Sequence, residues 1–388
     1  MENACKPCAT AKRKCERQTP QCARCRRRGI ECTYPPAKQT AFILCEDDHS
    51  SAQEHGSISY VFSSDKSTYT RSETLPLPSW PCTVPAPSDI GLLAVSATRL
   101  VASDQLMSYV AMLRTWLTQW VDQGSNPFIH ASLYKARMPS CMQDAYTALS
   151  SYFLKNPTNE QTIYHILEDR LQRLVDTQGV EEYGPAKRQH DLNSIDHLAR
   201  VQSLLIFVVM ALFDGDIRLR HFAESYIPVL EIWVEAMIDH TNQMLSLSVG
   251  PEKERQLYYN LNVENANDRQ NLNWHCWVIA ESTQRTWMMA AGVQAIYSIM
   301  QSGKAPPCRG HMVITTRPGV WEASSALAWS RLCLETNTGI IQMSEADRLF
   351  AEAAPEEVDD FTRVFLEATY GKDRMERWVC DREIMTES

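Results

Sequence analysis

Six cysteines within the first 32 residues constrain this chain more than any other feature. Cys5, Cys8, Cys15, Cys22, Cys25 and Cys32 follow the spacing C-x2-C-x6-C-x6-C-x2-C-x6-C. The two halves repeat one C-x2-C-x6-C unit, and each unit places three thiolates where a short helical turn aims them inward. Three plus three thiolates are too few for two separate four-cysteine zinc sites. They suffice if two of them bridge, giving each of two zinc ions four sulfurs. Metal also answers a folding problem. A segment under about 40 residues rarely buries enough apolar surface to fold alone. Between Cys5 and Cys32 the only sizeable apolar side chain is Ile30. Zinc supplies roughly 10–16 kcal/mol to a structural site near neutral pH, which replaces the missing core.

A disulfide framework is the first rival, because short secreted scaffolds are also cysteine-dense. The chain opens Met-Glu-Asn-Ala-Cys, with no apolar signal segment ahead of the cysteines, which argues against it. A single-zinc or iron–sulfur site leaves cysteines over or breaks the repeat. Charge supports a nucleic-acid module. Residues 1–40 hold ten Lys and Arg against three Glu, a net of +7, and the other 348 residues hold 28 basic and 44 acidic side chains, a net of −16. Two zinc ions with six thiolates lower the head by two and leave it basic. A small positive head on an acidic body is the asymmetry of a DNA-binding segment, which the overall net charge of −9 conceals.

The arrangement resembles the fungal Zn2Cys6 binuclear-cluster transcription factors. The resemblance rests on the six cysteines, the basic run Lys12-Arg13-Lys14, Pro20 between the halves, and Arg26-Arg27-Arg28-Gly29 before Cys32. It implies Cys5 and Cys22 as bridging thiolates and the other four as terminal ligands. It implies double-stranded DNA as partner, a CGG-type triplet read from the major groove, Lys12 as base reader and Lys14 as phosphate contact. A short helix starting near Cys8 is expected to turn residues 12–14 outward, since the groove admits a helix and Lys or Arg can donate to guanine O6 and N7. Arg13, Arg17 and the Arg24–Arg28 group are expected to touch phosphates or line the approach, setting register without reading sequence. Ala9 and Ala11 stand where Arg or Lys is common in the family, so contacts from the first half are expected to be sparse.

The remaining chain is read as a linker and a helical body. Residues 1–36 form the zinc module. Residues 37–90, rich in Ser, Thr and Pro, form a disordered linker. Residues 91–388 form an all-α regulatory domain. No heptad pattern follows the cluster, so either the protein binds as a monomer or the body supplies homodimer contacts. Helices are expected over Asp104 to Val121, Met138 to Leu154 and the stretch after a Thr158–Gln161 capping box, closed by Gly179. Others are expected over Ser194 to Gly215, Asp216 to Met244 with a kink at Pro228, Asp268 to Met300, Val320 to Leu334, and Pro355 to Tyr370. Residues 245–264 read as a loop and Met312–Thr315 as a short extended piece. The longest apolar run, Leu204 to Phe213, is too short to span a bilayer, so no membrane partner is expected.

The body also resembles the regulatory region of the same family, through Trp274-His275-Cys276-Trp277-Val278-Ile279-Ala280-Glu281-Ser282 and Arg285-Thr286. Glu281 and Arg285 stand four apart, compatible with an ion pair along a helix or with two solvated charges. No phosphate loop, H-E-x-x-H or G-x-S-x-G occurs, and no enzyme is expected. The mixed acidic and apolar stretch from Ala351 to Leu366 suits a coactivator contact or an ordinary amphipathic surface helix. Together these features indicate a nuclear, zinc-dependent regulator of RNA polymerase II transcription, with transcription machinery or coactivators as further partners and a metabolic gene set as target. The alternative is a helical effector-sensing or scaffold protein whose cluster mediates protein contacts.

Overall fold

The computed structural model describes residues 5–11, 13, 15, 21–33, 103–178, 192–246, 269–303, 313–335, 340–342 and 346–387. The linker expected over 37–90 and most of the loop expected over 245–264 lie outside the described residues. The chain divides into two compact units, Met1–Ala41 and Phe42–Ser388. Among its described residues the first contains two short helices, α1 (Lys6–Thr10) and α2 (Ala23–Arg28).

The second unit is helical. Its elements in chain order are α3 (Ser103–Gln123), α4 (Ser140–Phe153), α5 (Glu160–Gln178), α6 (Ser194–Leu212), α7 (Ile217–Glu224), α8 (Ile227–Ser246) and α9 (Arg269–Ser302). Then come β1 (Val313–Thr315), α10 (Ala326–Glu335), β2 (Ile340–Gln342), α11 (Ala346–Glu352), a 3-10 turn (Pro355–Glu357), α12 (Asp360–Tyr370) and α13 (Lys372–Glu387). The expected extended piece is one strand of an antiparallel pair in which Val313 faces Gln342 and Thr315 faces Ile340.

Helix α6 is the centre of this unit. Its residues from His197 to Leu212 are all buried, and α4, α7, α8 and α9 pack around it. By length and composition alone it suffices to cross a membrane, yet it is enclosed by protein. A helix that is apolar on every side belongs in a core. Helix α9 is the second axis, packed against α6, α8, α10 and β1. The string that carried the body's resemblance lies here, and it is buried almost throughout. His275 is half-buried and Cys276 is buried, and burial pushes the Cys276 thiol up to about 12. Such a thiol is inert at neutral pH.

Several boundaries differ from expectation. The expected helix through Pro228 is two helices, because α7 ends at Glu224 and Pro228 is the second residue of α8. Proline is tolerated in a first turn, where its missing N–H has no partner to lose. Pro139 stands just before α4 rather than inside it. Thr158 does not cap α5; Asn156 and Asn159 bind the turn ahead of it through their side-chain amides. Asn193 rather than Ser194 caps α6, accepting from the Asp196 N–H at 2.9 Å. The expected helix from Val320 begins only at Ala326.

The largest correction concerns the acidic stretch from 351 to 366. It is not one helix: it runs from the end of α11 through the 3-10 turn into α12, whose apolar face is buried while Glu356 and Asp360 stay exposed. Ala353, Val358, Phe361, Phe365 and Leu366 are buried, and Asp359 forms an ion pair with Arg285 at 2.6 Å. Arg285 is itself buried and donates from Nε to Glu281 at 2.9 Å, from Nη1 to the Pro127 carbonyl at 3.2 Å and from Nη2 to the Thr315 carbonyl at 2.9 Å. Glu281 also accepts from the Thr315 N–H and hydroxyl, each at 3.1 Å. Burial pushes the Glu281 carboxyl up against the opposing pull of Arg285. Burial opposes the Arg285 charge too, but Asp359 and Glu281 outweigh it and raise its pKa. The guanidinium lies 4.4 Å from the Trp321 ring and 4.7 Å from the Phe361 ring. The pair that the spacing of four allowed is therefore a buried three-residue cluster tying α9, β1 and the start of α12 together.

Gly292 of α9 marks a close approach. A Cβ there overlaps the Tyr109 hydroxyl and crowds the Phe365 ring at 3.2 Å. Alanine is favoured over glycine in a helix by about 1 kcal/mol. Gly292→Ala is nevertheless expected to lower unfolding stability, by about 1–3 kcal/mol of overpacking. A urea midpoint at or above that of the parent would refute the close-packing account.

Candidate metal centre and nucleic-acid interface

The first unit is built around sulfur. Cys5, Cys8, Cys22 and Cys25 are fully buried and Cys15 and Cys32 half-buried. The reason is local. Cys22 caps α2, its sulfur accepting the Cys25 N–H at 3.4 Å, and Gly29 ends the helix in the left-handed region at φ 60. That conformation suits glycine and turns the chain so that Cys32 returns to the cluster, where its sulfur accepts the Cys22 N–H at 3.3 Å. In the first half, Cys5 directly precedes α1 and Cys8 lies inside it.

The six sulfurs form two overlapping sets of four, Cys5, Cys8, Cys15, Cys22 and Cys5, Cys22, Cys25, Cys32, with all members of a set within 4.8 Å of one another. Cys5 and Cys22 belong to both. Their sulfurs are 3.8 Å apart, and Cys5–Cys25, Cys8–Cys22 and Cys15–Cys5 are each 3.7 Å apart. A zinc ion bonded to four sulfurs at about 2.3 Å spans tetrahedron edges of about 3.8 Å. These separations exceed a disulfide bond of about 2.05 Å. The geometry fits two four-sulfur sites sharing one edge.

Burial disfavours an uncompensated thiolate at Cys5 and Cys25. Burial pushes the Cys5 thiol well up and the Cys25 thiol up to about 12, whereas the Cys25 amide and neighbouring thiols bring Cys22 down to about 6. Packing six thiolates into one small volume needs a concentrated opposing charge, which divalent zinc supplies. Arg24 donates from Nη1 to the Cys8 sulfur at 3.5 Å, and that bond raises its pKa.

The basic face is only partly visible. Lys12, Lys14 and Arg17 lie outside the described residues. Arg13 is exposed, and its N–H reaches back to the Cys8 carbonyl at 3.0 Å. The expected helix from near Cys8 begins earlier, at Lys6, and ends at Thr10. Arg13 therefore follows the helix rather than riding on it. The chain must turn there because Cys15 returns to within 3.7 Å of Cys5 seven residues after Cys8. Lys6 in α1 and Arg26, Arg27 and Arg28 in α2 add exposed cations. Lys6 was not picked out from the sequence, where it stood as one charge among many.

In the helical unit, two small cavities among the described residues hold at most a water-sized molecule and are both lined by apolar side chains such as Leu117 and Val209.

Residues 3–41 match the fungal Zn(2)-Cys(6) binuclear cluster domain. Along nearly its whole length the chain is similar to "Transcription factor gsfR2" of Penicillium aethiopicum, with 24% identity over 415 aligned positions, covering 97% of this chain and 94% of that protein. No solved structure matches the chain.

Proposed function

We propose that this chain, whose residues 3–41 match the fungal Zn(2)-Cys(6) binuclear cluster domain, is a DNA-binding transcription factor of that family that takes two zinc ions and reads CGG-like triplets in the major groove to regulate RNA polymerase II transcription in the nucleus. The observation that carries this reading is the pair of four-sulfur sets sharing Cys5 and Cys22. In this reading Cys5 and Cys22 bridge the two ions, and Cys8, Cys15, Cys25 and Cys32 are terminal ligands. When bound, zinc supplies the folding energy and rigidity that a segment this poor in apolar residues lacks.

Lys12 donates to guanine O6 and N7, as a Lys side chain can in the major groove. Lys14, Arg13 and Arg17 contact phosphates and hold register. The exposed Arg26, Arg27 and Arg28 add to the attraction for the backbone. Residues 1–36 bind DNA, 37–90 connect, and 91–388 regulate by contacting transcription machinery or coactivators. The target is a metabolic gene set, such as a secondary-metabolite pathway. Support for a regulatory body comes from the similarity to a transcription factor along nearly the full chain.

The test is selection from random duplex DNA by the full-length protein, with zinc present and the salt concentration stated, because phosphate contacts make affinity salt-dependent. One enriched CGG-like triplet is expected for a monomer, and two at fixed spacing for a homodimer assembled through the body. No enriched sequence would overturn the reading.

A further inference from the structure

The four arginines of α2 do not point the same way. Arg26, Arg27 and Arg28 are exposed in its last turn, while Arg24 is half-buried and turned inward. Its Nη1 donates to Cys8 Sγ at 3.5 Å, so a side chain of the second C-x2-C unit reaches a sulfur of the first. Cys8 belongs to only one of the two four-sulfur sets. In the internal repeat, the place of Arg24 is taken in the first unit by Pro7, which has neither a charge nor an N–H to offer. The repeat is thus asymmetric: one terminal sulfur receives a cation from the opposite unit, through a residue whose counterpart can make no such bond.

Hydrogen bonds to a metal-bound ligand fix its orientation and resist its loss, and such partners commonly affect metal affinity 10- to 100-fold. An arginine bond to a thiolate is charge-assisted and stronger than a neutral one. Two divalent ions with six thiolates carry a net charge of −2, so a guanidinium at the rim is favourable. We propose that Arg24 is a positioning residue of the metal cluster, holding the Cys8 sulfur and slowing loss of zinc from the set Cys5, Cys8, Cys15 and Cys22, rather than a DNA phosphate contact. This replaces the expectation that the whole Arg24–Arg28 group faces the DNA backbone. It rests on the reading that the six cysteines hold two zinc ions.

The experiment uses full-length protein, as parent, Arg24→Gln and Arg24→Lys. Zinc content is measured first, then the rate of zinc transfer to a chromogenic chelator, then the salt dependence of binding to a duplex under saturating zinc. In Arg24→Gln one of the two ions is expected to leave about 10-fold faster, with Arg24→Lys close to the parent. The slope of log affinity against log salt is expected to stay unchanged, whereas losing a phosphate contact lowers it by about 1. Parent-like zinc release from Arg24→Gln, or a lowered salt slope with both ions retained, would overturn the proposal. If Arg24→Gln fails to hold zinc at all, Arg24→Lys decides: recovery of two ions supports the charge-based role, and failure like that of Gln overturns it. A parent protein without two zinc ions would sink the cluster reading itself, and this inference with it.

Discussion

Replacing Cys22 by serine is expected to reduce DNA binding by the full-length protein to its nonspecific level, a loss of at least about a thousandfold at physiological salt. Cys22 has three roles at once. Its sulfur belongs to both four-sulfur sets, its side chain caps α2 through the Cys25 N–H, and its own amide donates to Cys32. A serine hydroxyl is a poor substitute for a thiolate ligand, and the change strikes both sites together. Cys32→Ser strikes one set only and is expected to leave one ion bound. Fluorescence anisotropy on a selected duplex, with zinc content measured in parallel, separates the two variants. Equal losses from Cys22→Ser and Cys32→Ser, with equal zinc retained, would contradict the shared edge.

Arg285→Ala is expected to destabilise the helical unit by about 3–5 kcal/mol, the range seen when one partner of a buried ion pair is removed. The reason lies in what remains. Glu281 and Asp359 are both buried and face each other's charge without the cation between them. The carbonyls of Pro127 and Thr315 lose their donors as well. Arg285→Lys keeps the charge but not the planar fork that reaches four acceptors, so it is expected to fall between Ala and the parent. Glu281→Gln combined with Arg285→Ala is expected to be less damaging than the sum of the two, since they share one network. Urea unfolding of the full-length protein followed by tryptophan emission reports the change, with Trp321 stacked on the guanidinium at 4.4 Å. A variant within about 0.5 kcal/mol of the parent, the usual effect of a surface substitution, would show that the cluster does not hold these elements together.

What was legible in the sequence followed from local chemistry. The cysteine spacing states the cluster outright, because a repeat of thiols in a segment without a core has few other uses. The faces of the longer helices were equally plain: Leu113, Leu117 and Trp120 on α3 are all buried as their spacing implies. The i, i+4 pair of Glu281 and Arg285 was visible too, as one of two options. Its third member was not, because Asp359 lies 74 residues further on and no periodicity links it to α9. For the same reason nothing in the sequence sets Asp359 apart from the other acids of its stretch, although it alone among them is buried, against Arg285, while Glu356 and Asp360 stay exposed. Pro228 read as a kink because a continuous helical pattern surrounds it, and only the break at Ser225 and Tyr226 shows that it opens a new helix. In the head, the sulfur of Cys8 reached by Arg24 could not be found from sequence, since the contact crosses the two repeat units.

The most direct test of the central claim is the zinc content of the native full-length protein, measured by elemental analysis against protein concentration and repeated after chelation and re-addition of zinc. Two zinc ions per chain are expected, with selective DNA binding lost on chelation and recovered on re-addition. One ion or none, or selective binding that survives complete removal of zinc, would contradict a binuclear six-cysteine cluster as the DNA-binding head of this chain.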